Sequence, residues 1–120
     1  MNSEILRKRC VDFSTLNLMI GKELLNQRVS ETYGKQLIRS SSSVSLNYSE
    51  AVSAESTKDF IHKLSIVLKE LRETYSCLEI VRNGGLSENE NQLLDAHTEC
   101  NELISIFVKS VKTLKSNLMK

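Results

Sequence analysis

The sequence predicts an all-α protein, a single-domain antiparallel up-down four-helix bundle. Three observations carry that expectation. The 120 residues contain no proline, so nothing in the covalent backbone interrupts long helices. Apolar residues recur at alternating steps of three and four, the spacing of one helix face. The strongest stop and start signals, Asn83-Gly84-Gly85 and Ser87-Glu88-Asn89-Glu90, fall between periodic segments.

The first helix is expected over residues 4–27, with Leu6, Cys10, Phe13, Ile20 and Leu24 inward and Leu16, Met19 and Leu25 flanking them. Gly21 weakens it locally, by about 1 kcal/mol against alanine. Ser30 is the expected N-cap of the second helix, over residues 31–52. There Tyr33, Leu37, Val44, Tyr48 and Ala51 keep helical spacing through Ser40-Ser41-Ser42-Ser43. A serine run ordinarily reads as a linker. Because the apolar period continues through it in phase, it reads here as helix whose small side chains let neighbours approach closely.

The third helix is expected over residues 57–82, capped by Ser56 with Asp59 in its first turn. Phe60, Leu64, Val67, Leu71, Thr74, Leu78 and Val81 form its seam, widened by Ile61, Leu68 and Tyr75. The fourth is expected over residues 88–118, opened by a capping box in which Ser87 caps and Glu90 reaches back. Leu93, His97, Cys100, Ile104, Phe107, Val111, Leu114 and Leu118 form its seam. Short connections make successive helices antiparallel neighbours.

Composition narrows function by exclusion. Hydrophobic residues make up 40% and charged residues 26%, the balance of one folded domain rather than a disordered chain. The net charge is +1, from 16 basic and 15 acidic residues, less than a dedicated polyanion binder carries. Aromatics are 5% with no tryptophan, too few for a base-stacking platform. Cys10, Cys77 and Cys100 are far apart and odd in number, so they read as buried small hydrophobes rather than a disulfide framework or zinc site. The chain opens without the apolar stretch of a signal peptide, and no run approaches a membrane span; the expected compartment is the cytoplasm.

No catalytic, cofactor or metal site is expected, and no small-molecule substrate is evident. The serines lack a nucleophile elbow, and Gly84-Gly85 is a helix stop, not a phosphate loop. His62 and His97 are the only histidines. A bundle metal site wants Glu-x-x-His motifs on facing helices; this chain offers one Asp59-x-x-His62.

Two polar constellations remain. Gln36, Arg39, Ser40, Ser43, Asn47 and Glu50 form one stripe along the second helix. It reads either as a hydrogen-bond network with Lys63, Glu70 and Glu73 of the third helix, which would fix register, or as a subunit or ligand contact surface. Arg7, Lys8 and Arg9 begin the first helix, and Lys109, Lys112 and Lys115 lie late in the fourth. An up-down bundle brings both sets to one end, where they form either a solvated surface or a modest cationic patch able to contact nucleic acid.

The second helix carries the pattern Gln36-x-x-Arg39-Ser40-x-x-Ser43-x-x-x-Asn47-x-x-Glu50-Ala51, continuing through Ser53-Ala54-Glu55-Ser56-Thr57-Lys58-Asp59-Phe60-Ile61-His62-Lys63-Leu64 to Lys69-Glu70 and Glu73-Thr74. This resembles the signature of the bacterial four-helix bundle proteins, also called 23S rRNA intervening-sequence proteins. The motif is specific over about residues 33–82; the first and fourth helices match in pattern only. The resemblance implies an up-down bundle assembled into a ring-like homopentamer, often encoded within inserts in large-subunit rRNA genes, with no established activity. A related branch, the accessory proteins of diversity-generating retroelements, is similar in fold and binds nucleic acid and a reverse transcriptase through a strongly basic surface; the net charge of +1 departs from that branch. The expectation is a non-enzymatic, self-assembling interaction module, with a nucleic-acid-binding accessory protein as the alternative. Leu18, Leu25, Ile80 and Leu103 are the candidate outward apolar residues for assembly.

Overall fold

Each periodic segment is helical. The computed structural model describes residues 1–120 and contains α1 (Ser3–Leu24), α2 (Glu31–Val52), α3 (Thr57–Asn83) and α4 (Glu90–Leu118). α2 packs against α1 on one side and α3 on the other, α4 follows on α3, and α1 closes lightly on α4. The molecule measures 51 × 21 × 20 Å, as four side-by-side helices of about 30–45 Å require.

The helix ends show where local chemistry differs from the sequence reading. α1 stops at Leu24, short of residue 27, and Ser30 takes part in that stop. Its backbone is already helical (φ −91°, ψ −8°), so its hydroxyl does not bond the first amides of α2. It donates instead to the carbonyls of Leu24 and Gln27, at 2.7 and 3.3 Å, tying the start of α2 to the turn that ends α1. Ser56 does cap α3, accepting from the Asp59 amide at 3.1 Å. In α4 the cap is Asn89 rather than Ser87: Asn89 Oδ1 accepts from the Gln92 amide at 3.0 Å, and Ser87 Oγ accepts from the Asn89 amide at 3.2 Å. Glu90, freed from the capping box, pairs with Arg82 of α3 at 2.7 Å. α3 ends in a Schellman motif. Gly85 sits at φ +64°, and the amides of Gly85 and Leu86 donate to the carbonyls of Arg82 and Val81.

One continuous core runs through the bundle, with Phe13, Leu37, Val44, Leu64, Leu71, Leu78 and Phe107 almost fully enclosed. Across it the Tyr48 and Phe107 rings meet edge-on, their centroids 5.4 Å apart. α4 is rotated from its expected seam: Ala96 and Leu103 are buried, while His97 and Ile104 lie at the edge. Leu103 therefore belongs to the core and is not an outward residue; Leu18, Leu25 and Ile80 are exposed.

The serine run lies inside α2 and serves both its neighbours. Ser41 is enclosed towards α1, where Ser14 Oγ donates to its carbonyl and shares a hydrogen bond with Ser45 Oγ. One turn and more towards the hairpin, Gly21 and Gly34 let the backbones nearly touch. A Cβ at Gly34 would lie 2.7 Å from the Gly21 oxygen. Gly21 is thus a packing requirement rather than only a weak point in its helix.

Candidate site: the polar seam between α2 and α3

Facing α2 and α3 places three members of the expected stripe, Arg39, Ser40 and Glu50, against partners on α3. Ser40 is buried, its Oγ 2.7 Å from Thr74 Oγ1. The Thr74 hydroxyl donates to the Glu70 carbonyl at 2.8 Å, which leaves Ser40 as the donor to Thr74. Arg39 reaches two carboxylates one turn apart: Nη1 donates to Glu70 at 3.1 Å and Nη2 to Glu73. Gln36 Oε1 accepts from Nε and Nη2 of Arg39, each at 3.3 Å. Glu50 accepts from Lys63. Like Gln36, Asn47 bonds within α2, its Nδ2 donating to the Ser43 backbone carbonyl at 2.9 Å.

The physical need for this arrangement lies in Glu70, whose side chain is only 10% exposed. A carboxylate so enclosed requires a charged partner. Arginine's planar fork holds two acceptors in a fixed geometry, where a lysine ammonium is a point charge on a flexible stem. The Arg39 guanidinium is held above its ordinary value, chiefly by its hydrogen bond to Glu73. Its side chain remains 50% exposed, so water weakens the pairing.

The basic residues fall into two groups. Arg7 pairs with Glu4 at 2.9 Å and Lys8 with Asp12 at 2.8 Å, both along α1. Arg9 crosses to α4 and binds Glu99 and Glu102. Each cation of the first cluster is thus matched by a carboxylate. Lys109, Lys112 and Lys115 are exposed and take part in none of the ion pairs. Both groups do lie towards one end: Ser3 and Leu6 of α1 share a cleft with Lys109.

The three thiols and His97 are committed to packing. Burial pushes the Cys10 and Cys100 thiols up to about 12 and Cys77 up to about 11. Cys100 donates to the Leu71 carbonyl at 3.2 Å. The His97 ring stacks on Tyr75 at 4.3 Å between centroids, and His62 is exposed. Two features escaped sequence reasoning. Asn17 is fully enclosed, its Nδ2 donating to the Phe13 carbonyl while Oδ1 finds no donor within the chain. Arg9 binds a glutamate pair, and the repeated spacing of Glu70-x-x-Glu73 and Glu99-x-x-Glu102 was the signal that could have revealed it.

No helix is long and apolar enough to cross a membrane. The comparison with curated proteins gave no match. Among solved structures, the chain is similar to a protein of unknown function from the S23 ribosomal protein family of Bacteroides thetaiotaomicron VPI-5482. The two are 28% identical, with 93% of this chain and 99% of that one covered and a TM-score of 0.84. The family model of the 23S rRNA-intervening sequence proteins matches residues 8–109. The motif on α2, the bundle that presents it and this match agree: the chain belongs to the 23S rRNA-intervening sequence protein family.

Proposed function

We propose that this protein is a non-enzymatic interaction module that assembles with copies of itself, as a ring-like homopentamer. The observation that carries the reading is the outer face of the α1/α2 hairpin. Val11 and Leu18 of α1 and Leu25 just past its end recur every seventh residue and are exposed, as is Leu46 of α2. Val11, Leu18 and Leu46 line one shallow groove with Ser14, Thr15, Ser42 and Ser45, and no charged side chain is among its lining residues. Helices that present heptad-spaced apolar residues beside small ones suit close packing against another helical surface. Ring closure at five is what the resemblance implies. The enclosed thiols, the stacked His97 and the engaged seam hydroxyls support a role without catalysis. The nucleic-acid alternative draws little support, because three of its six cations are already paired.

Native mass spectrometry and sedimentation test the assembly. The expected particle has five times the 13.6 kDa protomer mass. Leu18→Glu with Leu46→Glu should give a folded monomer, its helical circular dichroism retained. A wild-type monomer at micromolar concentration would overturn the proposal.

A further inference from the structure

We infer that the cleft at the end of the bundle where α1 begins and α4 finishes binds a single straight-chain carboxylate, a medium-chain fatty acid. The α1/α4 contact is lighter than the others, and at this end a recess of about 530 Å³ opens, within the roughly 300–1,000 Å³ of small-molecule sites. Its floor is apolar: Leu6, Tyr48, Leu64 and Phe107 line it, none of them more than 8% exposed. With the Tyr48 phenol, Ser3, Ser110 and Thr113 bring four hydroxyls to the lining and Lys109 its one charged side chain; Met1 lines it too, and no carboxylate side chain does.

The charge around the mouth has one sign along α4. Beyond Glu102 that helix carries no acidic residue, only Lys109, Lys112, Lys115 and, just past its end, Lys120. Lys109 belongs to none of the ion pairs. An apolar tail would therefore leave water for the recess, while an anionic head would meet Lys109 and the adjacent hydroxyls. A recessed floor also admits a single chain where a flat bilayer would reach only the rim. The assembly groove shares no lining residue with this cleft, so the two readings stand or fall separately.

The test is titration of the intact protein with decanoate and decyltrimethylammonium, each below its micellar concentration, and with 1-decanol below its solubility limit, followed by calorimetry and amide chemical shifts. Decanoate should saturate at one per chain, with shifts centred on Leu6, Tyr48 and Phe107. Shortening the tail should weaken binding about fourfold per methylene. Decyltrimethylammonium should bind at least tenfold more weakly than decanoate. Lys109→Gln should weaken decanoate about fivefold and leave 1-decanol unchanged, at an unaltered melting temperature. Thr113→Trp, which narrows the mouth, should weaken both. Equal affinity for the anionic and cationic amphiphiles, or no saturable binding, would overturn the proposal. So would binding seen only with phosphatidylglycerol vesicles, which would assign the lysines to a membrane surface.

Discussion

Arg39 and Arg9 make the same contact on different sides of the bundle. Each spans to a neighbouring helix and binds two glutamates one turn apart, Glu70 and Glu73 on α3 or Glu99 and Glu102 on α4. Their surroundings differ. Beside Arg39 the helices also share the enclosed Ser40–Thr74 hydrogen bond, and the other flank of α2 is drawn against α1 at Gly21 and Gly34. Between α1 and α4, the hydrogen bonds of Arg9 are the only ones that cross. Where backbones run close, small side chains and buried hydroxyls fix the register, and the ion cluster is one tie among several. Where they do not, the cluster is the sole polar tie.

The largest expected effect breaks the close side. Gly→Ala on a helix ordinarily stabilises by about 1 kcal/mol. At Gly34 the sign should reverse, because the new methyl would lie 2.7 Å from the Gly21 oxygen and 3.1 Å from Leu24 Cβ. A backbone oxygen has no alternative rotamer, so α1 and α2 must part. Gly34→Ala should lower stability by about 2 kcal/mol in urea denaturation. A gain would show that the helices separate freely and that the proposed asymmetry is wrong.

Next come the two arginines. Arg39→Ala strands the enclosed Glu70 and should cost about 1–2 kcal/mol, discounted because the arginine is half exposed. The loss should be global, since Ser40–Thr74 still joins the helices. If stability held but assembly mass changed, the stripe would belong to a subunit interface instead. Arg9→Ala should cost about 1 kcal/mol and act locally. Amide hydrogen exchange should accelerate in the first half of α1 and around Glu99 and Glu102 in the first half of α4 before it changes in α2.

The contrast also explains what the sequence could and could not reveal. Four helices were legible because apolar spacing persists even through Ser40–Ser43, where composition alone suggests a loop. The partners of Arg39 and Glu50 were legible because Glu70 and Glu73, and Lys63, lie in the adjacent helix at matching spacing. Arg9 was misread as free surface charge because its glutamates are some 90 positions away, and closing the bundle brings them near. The caps went astray for a local reason. Ser30 and Ser87 sit where a cap is needed, but one turn of backbone geometry decides whether a hydroxyl faces the next helix or the previous one. Gly34 passed unremarked, since a glycine in a helix says nothing of what crosses it.

Thiol chemistry can time the opening of the two sides. Cys10 and Cys100 are pushed up to about 12 and Cys77 to about 11, from 9.0, by burial. A raised folded-state value means that the folded chain holds its thiol protons more tightly than the unfolded one. That contribution is complete below pH 9 and declines as the pH rises towards 12. At pH 8 the native thiols should react with a disulfide reagent only as the structure opens. In Arg9→Ala, Cys10 of α1 should label before Cys77, which donates to the Tyr33 carbonyl on the close side. Simultaneous labelling would mean that both sides open in one cooperative step.

The smallest effect marks where the comparison ends. Lys8 and Asp12 pair at 2.8 Å along α1, with side chains 72% and 63% exposed. Water screens such a pair, and ordering two side chains offsets what attraction remains. The lysine also precedes the acid, the weaker orientation on a helix, and lies nearer the positive end of the dipole. Lys8→Ala should therefore change stability by less than about 0.5 kcal/mol, and a double-mutant cycle with Asp12→Ala should show coupling of the same size. Only ion pairs that cross between helices and are partly enclosed should register above that level. A coupling above about 1 kcal/mol would mean that an intrahelical surface pair matters as much as Arg9, and the distinction between sole and redundant ties would lose its basis.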